Sequence, residues 1–303
     1  LLGEQAVAVG DLSEPPAEIP LLNAFEGRDR AFLQIQQGCD HACTFCIVHT
    51  LRGKNTGMKP ERVIEQARRF VAQGLNEIVL TGVDVASYPY GLWDLTRRLL
   101  TEVEGLRRLR FGSLDPAGVG DELFDLMAKY KALMPSVHLS VQAGDNLILK
   151  RMGRRHTYED VVEISRKLRA VNPLATLGAD LIAGFPTETE AQFGRTLSLI
   201  TEAQITHTHV FPYSAREGTP AAKMPQVLKA ERVARAARAR ELGAQMQQQW
   251  LNKMVGQKVS VLVEHSGVGY TENYLPVRVA DPQAAGSLMT GVIRRVQGHE
   301  LVF

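Results

Sequence analysis

Apolar residues in this chain come in short runs separated by amphipathic stretches, and the alternation repeats. Runs at 31–36, 77–81, 109–112, 137–141, 176–182 and 206–212 read as strands. Between most of them, 60–73, 92–103, 121–131, 158–170 and 189–203 carry apolar residues at helical spacing. Pro60 suits the first turn of its helix, and Gly74 suits its stop. Strand–helix alternation predicts an α/β unit of parallel strands with right-handed crossovers. Six such units can form an open barrel or a doubly wound sheet, and periodicity alone does not choose. In both, chemistry gathers at the carboxyl ends of the strands.

The texture changes from 227 to 254, which reads as one long helix with Leu242, Met246, Trp250 and Met254 on an apolar stripe. Arg232, Arg235, Arg238 and Arg240 crowd that helix, a density that tilts toward RNA contact over a merely solvated face. After Gly256 come short β-like runs at 258–264, 274–279, 288–296 and 301–303, with turn signals at Ser266-Gly267 and Asp281-Pro282. The expected divisions are a linker over 1–30, broken by Pro15, Pro16 and Pro20, an α/β domain over 31–250, and a small β-barrel over 251–303.

Composition narrows the class. The 303 residues are 45% hydrophobic and 22% charged, which supports a large core and excludes global disorder. A net charge of +2 does not by itself imply nucleic acid. No apolar run is long enough to span a bilayer and there is no signal peptide, so no membrane partner and a cytoplasmic location are expected.

The sharpest chemical signal follows the first strand. Cys39, Cys43 and Cys46 are the only cysteines, set as C-x3-C-x2-C. A structural zinc or a ferredoxin-type cluster wants four ligands. Three thiolates on one loop can hold three irons of a cubane and leave the fourth open to a small molecule. S-adenosylmethionine fits, because its amine and carboxylate can chelate one iron. Electron transfer into the sulfonium would then release a 5′-deoxyadenosyl radical. The bland alternative is zinc completed by His41 or His49.

With Phe45 before the third cysteine, this motif resembles the radical S-adenosylmethionine signature. Thr81-Gly82-Val83-Asp84, His138-Leu139-Ser140-Val141-Gln142, Lys150-Arg151-Met152-Gly153-Arg154-Arg155, Asp180-Leu181-Ile182-Ala183-Gly184-Phe185-Pro186 and Val210-Phe211-Pro212-Tyr213-Ser214 extend the likeness. Together they resemble the methylthiotransferases, with Gly82-Val83-Asp84 pointing to the branch acting on N-threonylcarbamoyladenosine in tRNA. The resemblance implies a partial (β/α)6 radical-SAM barrel followed by a TRAM-like RNA-binding β-barrel. It implies a 4Fe–4S cluster on Cys39, Cys43 and Cys46, a tRNA anticodon loop as substrate, and an electron donor of unspecified identity.

The same resemblance assigns cofactor contacts. Thr81 and Gly82 would stand where the family's glycine-rich segment receives the methionine amine. Ser113, Ser140 and Gln142 would meet the cofactor ribose or carboxylate, and Gly184 would let adenine approach. Phe45 belongs to the motif, while Phe211 and Tyr213 would flank the adenine. Arg154 or Arg155 would meet the cofactor carboxylate or an RNA phosphate. Relatives of this kind carry an amino-terminal domain whose three further cysteines hold a second cluster. This chain lacks those cysteines, so it reads as part of a longer enzyme.

Other readings stand beside these. A ribosomal-protein aspartate methylthiotransferase is the nearest competitor, and a non-catalytic RNA-binding module with a structural metal is the competitor from another class. His138, His207 and His209 read as packed or hydrogen-bonded, since no carboxylate lies near them in sequence. Asp84 and Asp180 read equally as cofactor-orienting groups or turn caps. Arg107, Arg108 and Arg110 point to no single role, since strand alternation sends Arg108 and Arg110 to one face. Arg294, Arg295, Tyr270 and Tyr274 suggest a basic groove with stacking rings.

Overall fold

The structure, a computed structural model, describes residues 21–22, 29–265, 267–279 and 285–303. Most of the expected linker, Ser266 and the Asp281-Pro282 turn lie outside the described residues. The chain begins its regular structure with β1 (Ala31–Gln34) and a short β2 (Gln36–Gln37). The cysteine loop and a single turn α1 (Val48–Leu51) follow, and β3 (Thr56–Gly57) returns to pair with β2. Then come α2 (Pro60–Ala72), β4 (Glu77–Thr81), α3 (Leu92–Glu102), β5 (Arg108–Phe111), β6 (Ser113–Leu114) and α4 (Asp121–Lys129). The series continues with β7 (Ser136–Gln142), α5 (Asn146–Met152), α6 (Tyr158–Val171), β8 (Thr176–Ala183), α7 (Glu190–Glu202) and β9 (His207–Pro212).

Strand order decides between barrel and doubly wound sheet. The parallel strands pair as β1-β4-β5 and β6-β7-β8-β9, and β5 passes to β6 across Gly112 alone. The Gly112 amide still donates to Leu80 O at 2.8 Å, so the two sheets form one series. Spatial order follows chain order with no reversal, as in an open barrel and unlike a doubly wound sheet. Alternation sorts the faces. In β7, Val137, Leu139 and Val141 are buried against the helices, while Ser136, His138, Ser140 and Gln142 turn the other way, into the lumen.

The long helix α8 (Lys229–Lys253) joins two cores. Ala236, Ala239 and Met246 belong to the barrel's core, whereas Trp250, Leu251 and Met254 belong to the core of the terminal β module. That module contains β10 (Lys258–Val263), β11 (Val268–Thr271), β12 (Pro276–Arg278), β13 (Leu288–Val292), β14 (Arg295–Gln297) and β15 (Glu300–Val302). Two expectations change here. The run at 274–279 starts within a turn, and 288–296 is two strands, because Ile293 and Arg294 break the ladder.

The arginines of α8 also read differently in three dimensions. Arg235 is buried against Glu188, Arg238 pairs with Glu190, Arg232 donates to Tyr213 O and Arg240 to Val210 O. All four guanidinium groups tie the helix to the barrel through partners distant in sequence, on a strand, in loops and at the start of α7.

Arg108 and Arg110 share one face, as alternation predicts, and that face is the floor of the barrel. Arg108 donates to Tyr270 O and Ser260 O; Arg110 donates to Glu272 O and Thr271 O, all at 2.8–3.0 Å. Fully buried Glu77 sits among them, 2.8 Å from Arg110 Nε and 3.1 Å from Arg30 Nη1. Burial opposes ionisation of Glu77, yet Arg110 and Arg30 hold its carboxyl below the ordinary range. Tyr270 and Tyr274 stack on each other with centroids 4.7 Å apart, each 5.2 Å beneath Arg30. These rings pack at the junction rather than in a free groove.

Candidate active site at the carboxyl end of the barrel

The cysteine loop is fixed from three sides. Gly38 has φ +72°, and a Cβ there would meet Lys54 O at 1.9 Å, so only glycine allows the entry turn. Thr44 is held by Met152 O and Arg151 O at the end of α5, and Ala221 N donates to Thr44 O. Phe45 packs edge-on to Phe185, with centroids 6.5 Å apart. Buried Gln36 is the hub on the third side. Its Nε2 donates to Gly38 O at 2.7 Å and Asn55 Oδ1 at 2.8 Å, and its Oε1 accepts from Asp84 N at 2.7 Å.

Each sulfur faces a hydrogen-bond donor. His41 N lies 3.4 Å from Cys39 Sγ, Val48 N 3.4 Å from Cys46 Sγ, and Arg154 Nη1 3.6 Å from Cys43 Sγ. All three cysteines are free of disulfides. Burial pushes the Cys39 thiol up, which disfavours a bare thiolate there and suits one neutralised by a metal. Sulfurs around a single zinc would lie about 4 Å from one another. Among the described residues only His138, Asp180 and His209 bring three possible ligand atoms within 4.8 Å of one another. The cysteine sulfurs do not converge within that distance, as ligands of a single ion would. His41, one of the two candidate fourth ligands of the zinc alternative, is instead taken by Asp84 at 3.0 Å and Ser87 at 3.3 Å.

Around this loop the strand ends supply polar groups. Ser113 Oγ and Ser140 Oγ are 2.7 Å apart, and Ser113 also donates to Asp180 Oδ2 at 3.2 Å. Arg154 is nearly buried, donating to Ser140 O at 2.7 Å and pairing with Asp115 at 3.1 Å. It therefore faces the cysteines rather than an RNA backbone, while half-exposed Arg155 pairs with the other oxygen of Asp115. Burial works against ionised Asp115, but Arg154, the Ala117 amide and Arg155 keep its carboxyl below the ordinary range. Gln142, at φ +71°, joins Phe45, Asp180, Ile182, Phe211, Tyr213 and Arg216 around a cavity of about 480 Å³.

Thr81 and Gly82 end β4 beside Gln36, and a Cβ on Gly82 would meet Gln36 Oε1 at 2.8 Å. An added Cβ on Gly184 would lie 2.4 Å from Arg232 Cγ, so the glycine lets the α8 arginine pack close. The Tyr213 ring packs against Phe185, centroids 5.6 Å apart, and Phe211 beside it is exposed.

Sequence reasoning missed the lumen's deeper tier. His138 Nε2 lies 3.1 Å and His209 Nδ1 3.3 Å from Asp180 Oδ1. Their carboxylate comes from the neighbouring strand, 42 residues from His138, so no local spacing announces it. A Cβ on Gly178 would lie 2.3 Å from His138 Nδ1, so this glycine makes room for the ring. Glycine inside a strand was the available signal. Gln36 and α5 were missed as well.

An α/β barrel with a three-cysteine loop after its first strand defines a class, and the comparisons agree. The profile of the Radical SAM superfamily matches residues 33–200. In fold, a radical S-adenosylmethionine methyltransferase from Kitasatospora setae, solved with cobalamin and a 4Fe–4S cluster, matches with a TM-score of 0.52 at 19% identity, over 63% of this chain and 38% of that one. Coproporphyrinogen III oxidase from Escherichia coli matches with a TM-score of 0.52 at 15% identity, over 73% and 54%.

Among sequences, a threonylcarbamoyladenosine tRNA methylthiotransferase of Rickettsia prowazekii is 43% identical over 94% of this chain and 69% of its own length. A tRNA-2-methylthio-N(6)-dimethylallyladenosine synthase of Ruegeria pomeroyi is 38% identical over 88% and 63%. A second threonylcarbamoyladenosine tRNA methylthiotransferase, from Bacillus subtilis, is 36% identical over 84% and 60%. The chain spans about two thirds of the length of these relatives. It belongs to the methylthiotransferase family of radical SAM enzymes.

Proposed function

We propose that this chain is the cofactor-binding body of a tRNA methylthiotransferase that modifies carbon 2 of N-threonylcarbamoyladenosine beside the anticodon. The observation that carries this reading is the 43% identity, across 94% of the chain, to the Rickettsia protein of that name. Cys39, Cys43 and Cys46 would hold a 4Fe–4S cluster with one iron left for S-adenosylmethionine. Bound together, these groups would supply a carbon radical able to take hydrogen from an aromatic carbon, whose C–H bond is not acidic enough for any side-chain base.

The protein's own part is placement. Backbone amides and Arg154 steady the sulfurs, Gln36 locks the loop to the end of β4, and Phe45, Gln142 and Phe211 shape the cavity where cofactor and base would meet. The target nucleotide leaves its stack to enter, which favours a loop base. The β module over 251–303 would act as a TRAM-like RNA-binding domain beside the α/β domain over 31–250. With three cysteines in all, the chain holds one such cluster, so sulfur insertion would draw on another domain or donor. Among the described residues no helix is long and apolar enough to cross a membrane, in keeping with action on tRNA in the cytoplasm.

The Ruegeria relative gives a second reading, in which the base carries a dimethylallyl group. A nucleoside digest of tRNA from a strain lacking this gene and any second such enzyme decides. Loss of methylthio-threonylcarbamoyladenosine is expected. Its persistence, with loss of the methylthio-dimethylallyl nucleoside instead, overturns the proposal in favour of the second reading.

A further inference from the structure

Below the tier of Ser140 and Gln142, the lumen continues into a second cavity of about 320 Å³. Asp180 borders both cavities, so the lower one opens beneath the upper. One wall is apolar, from Phe32, Val79 and Phe111; the other carries His138, His207 and His209. Arg110 and Tyr274 form the floor. Tyr274 takes φ +60°, a backbone conformation costly for an aromatic residue and found where a ligand site or a forced packing demands it.

The imidazoles are not idle packing. His207 Nδ1 is satisfied by Thr206 Oγ1 at 3.0 Å, while its buried Nε2 makes no hydrogen bond of good geometry, with only the Tyr274 backbone close to the ring. A buried ring nitrogen left unpaired beside a cavity is costly unless something enters to pair with it. Burial, with His138 and His209 nearby, depresses the His207 pKa to about 4, so the ring is neutral at pH 7 and can serve a polar group without itself bringing charge. His209 spends Nδ1 on Asp180, which turns its other nitrogen outward on a ring whose side chain is 63% exposed. His138 is held in place by the same carboxylate and by the space that Gly178 leaves.

A dimethylallyl group could satisfy none of these polar atoms. A threonylcarbamoyl group brings urea N–H groups and a hydroxyl that can donate to a neutral imidazole nitrogen, together with oxygens that can accept. We infer that the lower lumen is the subsite for a polar, hydrogen-bonding substituent on the target base, read by His207 and His209, with Asp180 and His138 as positioning residues. This rests on the substrate reading above and deepens it.

The test measures binding of anticodon stem-loop RNAs to the anaerobically reconstituted full chain. The target adenosine carries threonylcarbamoyl, dimethylallyl or no substituent, and affinity is read by fluorescence anisotropy. The wild-type chain should prefer the threonylcarbamoyl RNA over the unsubstituted one by about tenfold or more, as expected where buried polar groups go unpaired with the simpler ligand. His207→Phe and His209→Phe should each cut that ratio to about a third or less, with affinity for unsubstituted RNA unchanged. His207→Gln, which keeps a polar atom at the site, should retain most of it. His209 is exposed, so its variant carries the test even if His207→Phe does not fold. A threonylcarbamoyl preference that His209→Phe and every folded His207 variant keep in full overturns the subsite alone. A wild-type chain that prefers the dimethylallyl RNA overturns the substrate reading and the subsite with it.

Discussion

The two ends of this barrel handle buried polarity in opposite ways. At the amino end, Glu77 is surrounded by Arg30, Arg108 and Arg110, and the guanidinium groups that remain donate to carbonyls of the β module. That end is closed and serves to join two cores. At the carboxyl end, the sulfurs receive single weak donors, Cys39 and Cys46 are partly open, Gln142 is strained, and a cavity remains. Polar groups that satisfy one another make a joint; polar groups left with spare capacity make a site.

The first way to break this comparison is at the open end. Cys43→Ala should abolish the cluster, leaving iron after anaerobic reconstitution at less than about one per chain, because two thiolates cannot hold a cubane. Circular dichroism should change little, since Cys43 belongs to neither of the two large cores. A variant that keeps the iron content of the parent would sink the assignment of the loop.

The closed end should respond through stability instead. Glu77→Gln removes the one carboxylate shared by three buried guanidinium groups. Stranding such charges costs about 3–5 kcal/mol. Spread over a chain of this size, that lowers the thermal midpoint by about 6 °C or more. Iron content should stay at the level of the parent. An unchanged midpoint would mean that the carbonyls of the β module alone suffice for the arginines.

These two ends were unequally legible in the sequence. The cysteine loop was plain, because its ligands are local and their spacing is itself the chemistry. So was the run of strands and helices, since period-2 and period-3.6 patterns are local too. What the sequence hid were partnerships across the fold. Asp180 meets His138 from the next strand, the α8 arginines meet strand and loop acceptors, and Gln36 binds three separate segments. The close packing of Arg232 on Gly184 was equally hidden. Helix α5 was missed because it is short and follows the strand end closely, although its Asp145 cap and Gly153 stop are both present.

A third prediction uses pH to set two buried histidines against the rest. Burial, with Arg154 close by, depresses His156 to about 4, and burial depresses His207 to about 4 as well. Between pH 6.5 and 4 the unfolded chain binds protons that these folded rings refuse. Stability is therefore fully present above pH 6.5 and falls as pH drops toward 4, by up to about 3 kcal/mol for each ring. Denaturant melts at pH 7 and pH 5 should show the loss. His156→Gln should reduce the difference between the two melts, and an unaltered difference would assign the acid sensitivity elsewhere.

The smallest effect probes the room that the lumen keeps for His138. Gly178→Ala places a methyl where His138 Nδ1 now lies, 2.3 Å from the new Cβ. The ring must swing or the strand must shift, at a cost of about 1–3 kcal/mol. His138 is only partly buried, so swinging is the easier response, and it would pull Nε2 from Asp180. Asp180 would then lose the hydrogen bond that does most to offset the burial opposing its ionised form, and its carboxyl pKa would rise toward the ordinary value. Nuclear magnetic resonance titration of Asp180 in the two proteins measures that rise. A thermal midpoint lowered with no change in Asp180 would show the strand shifting instead, and would mean that glycine here serves the sheet rather than the histidine.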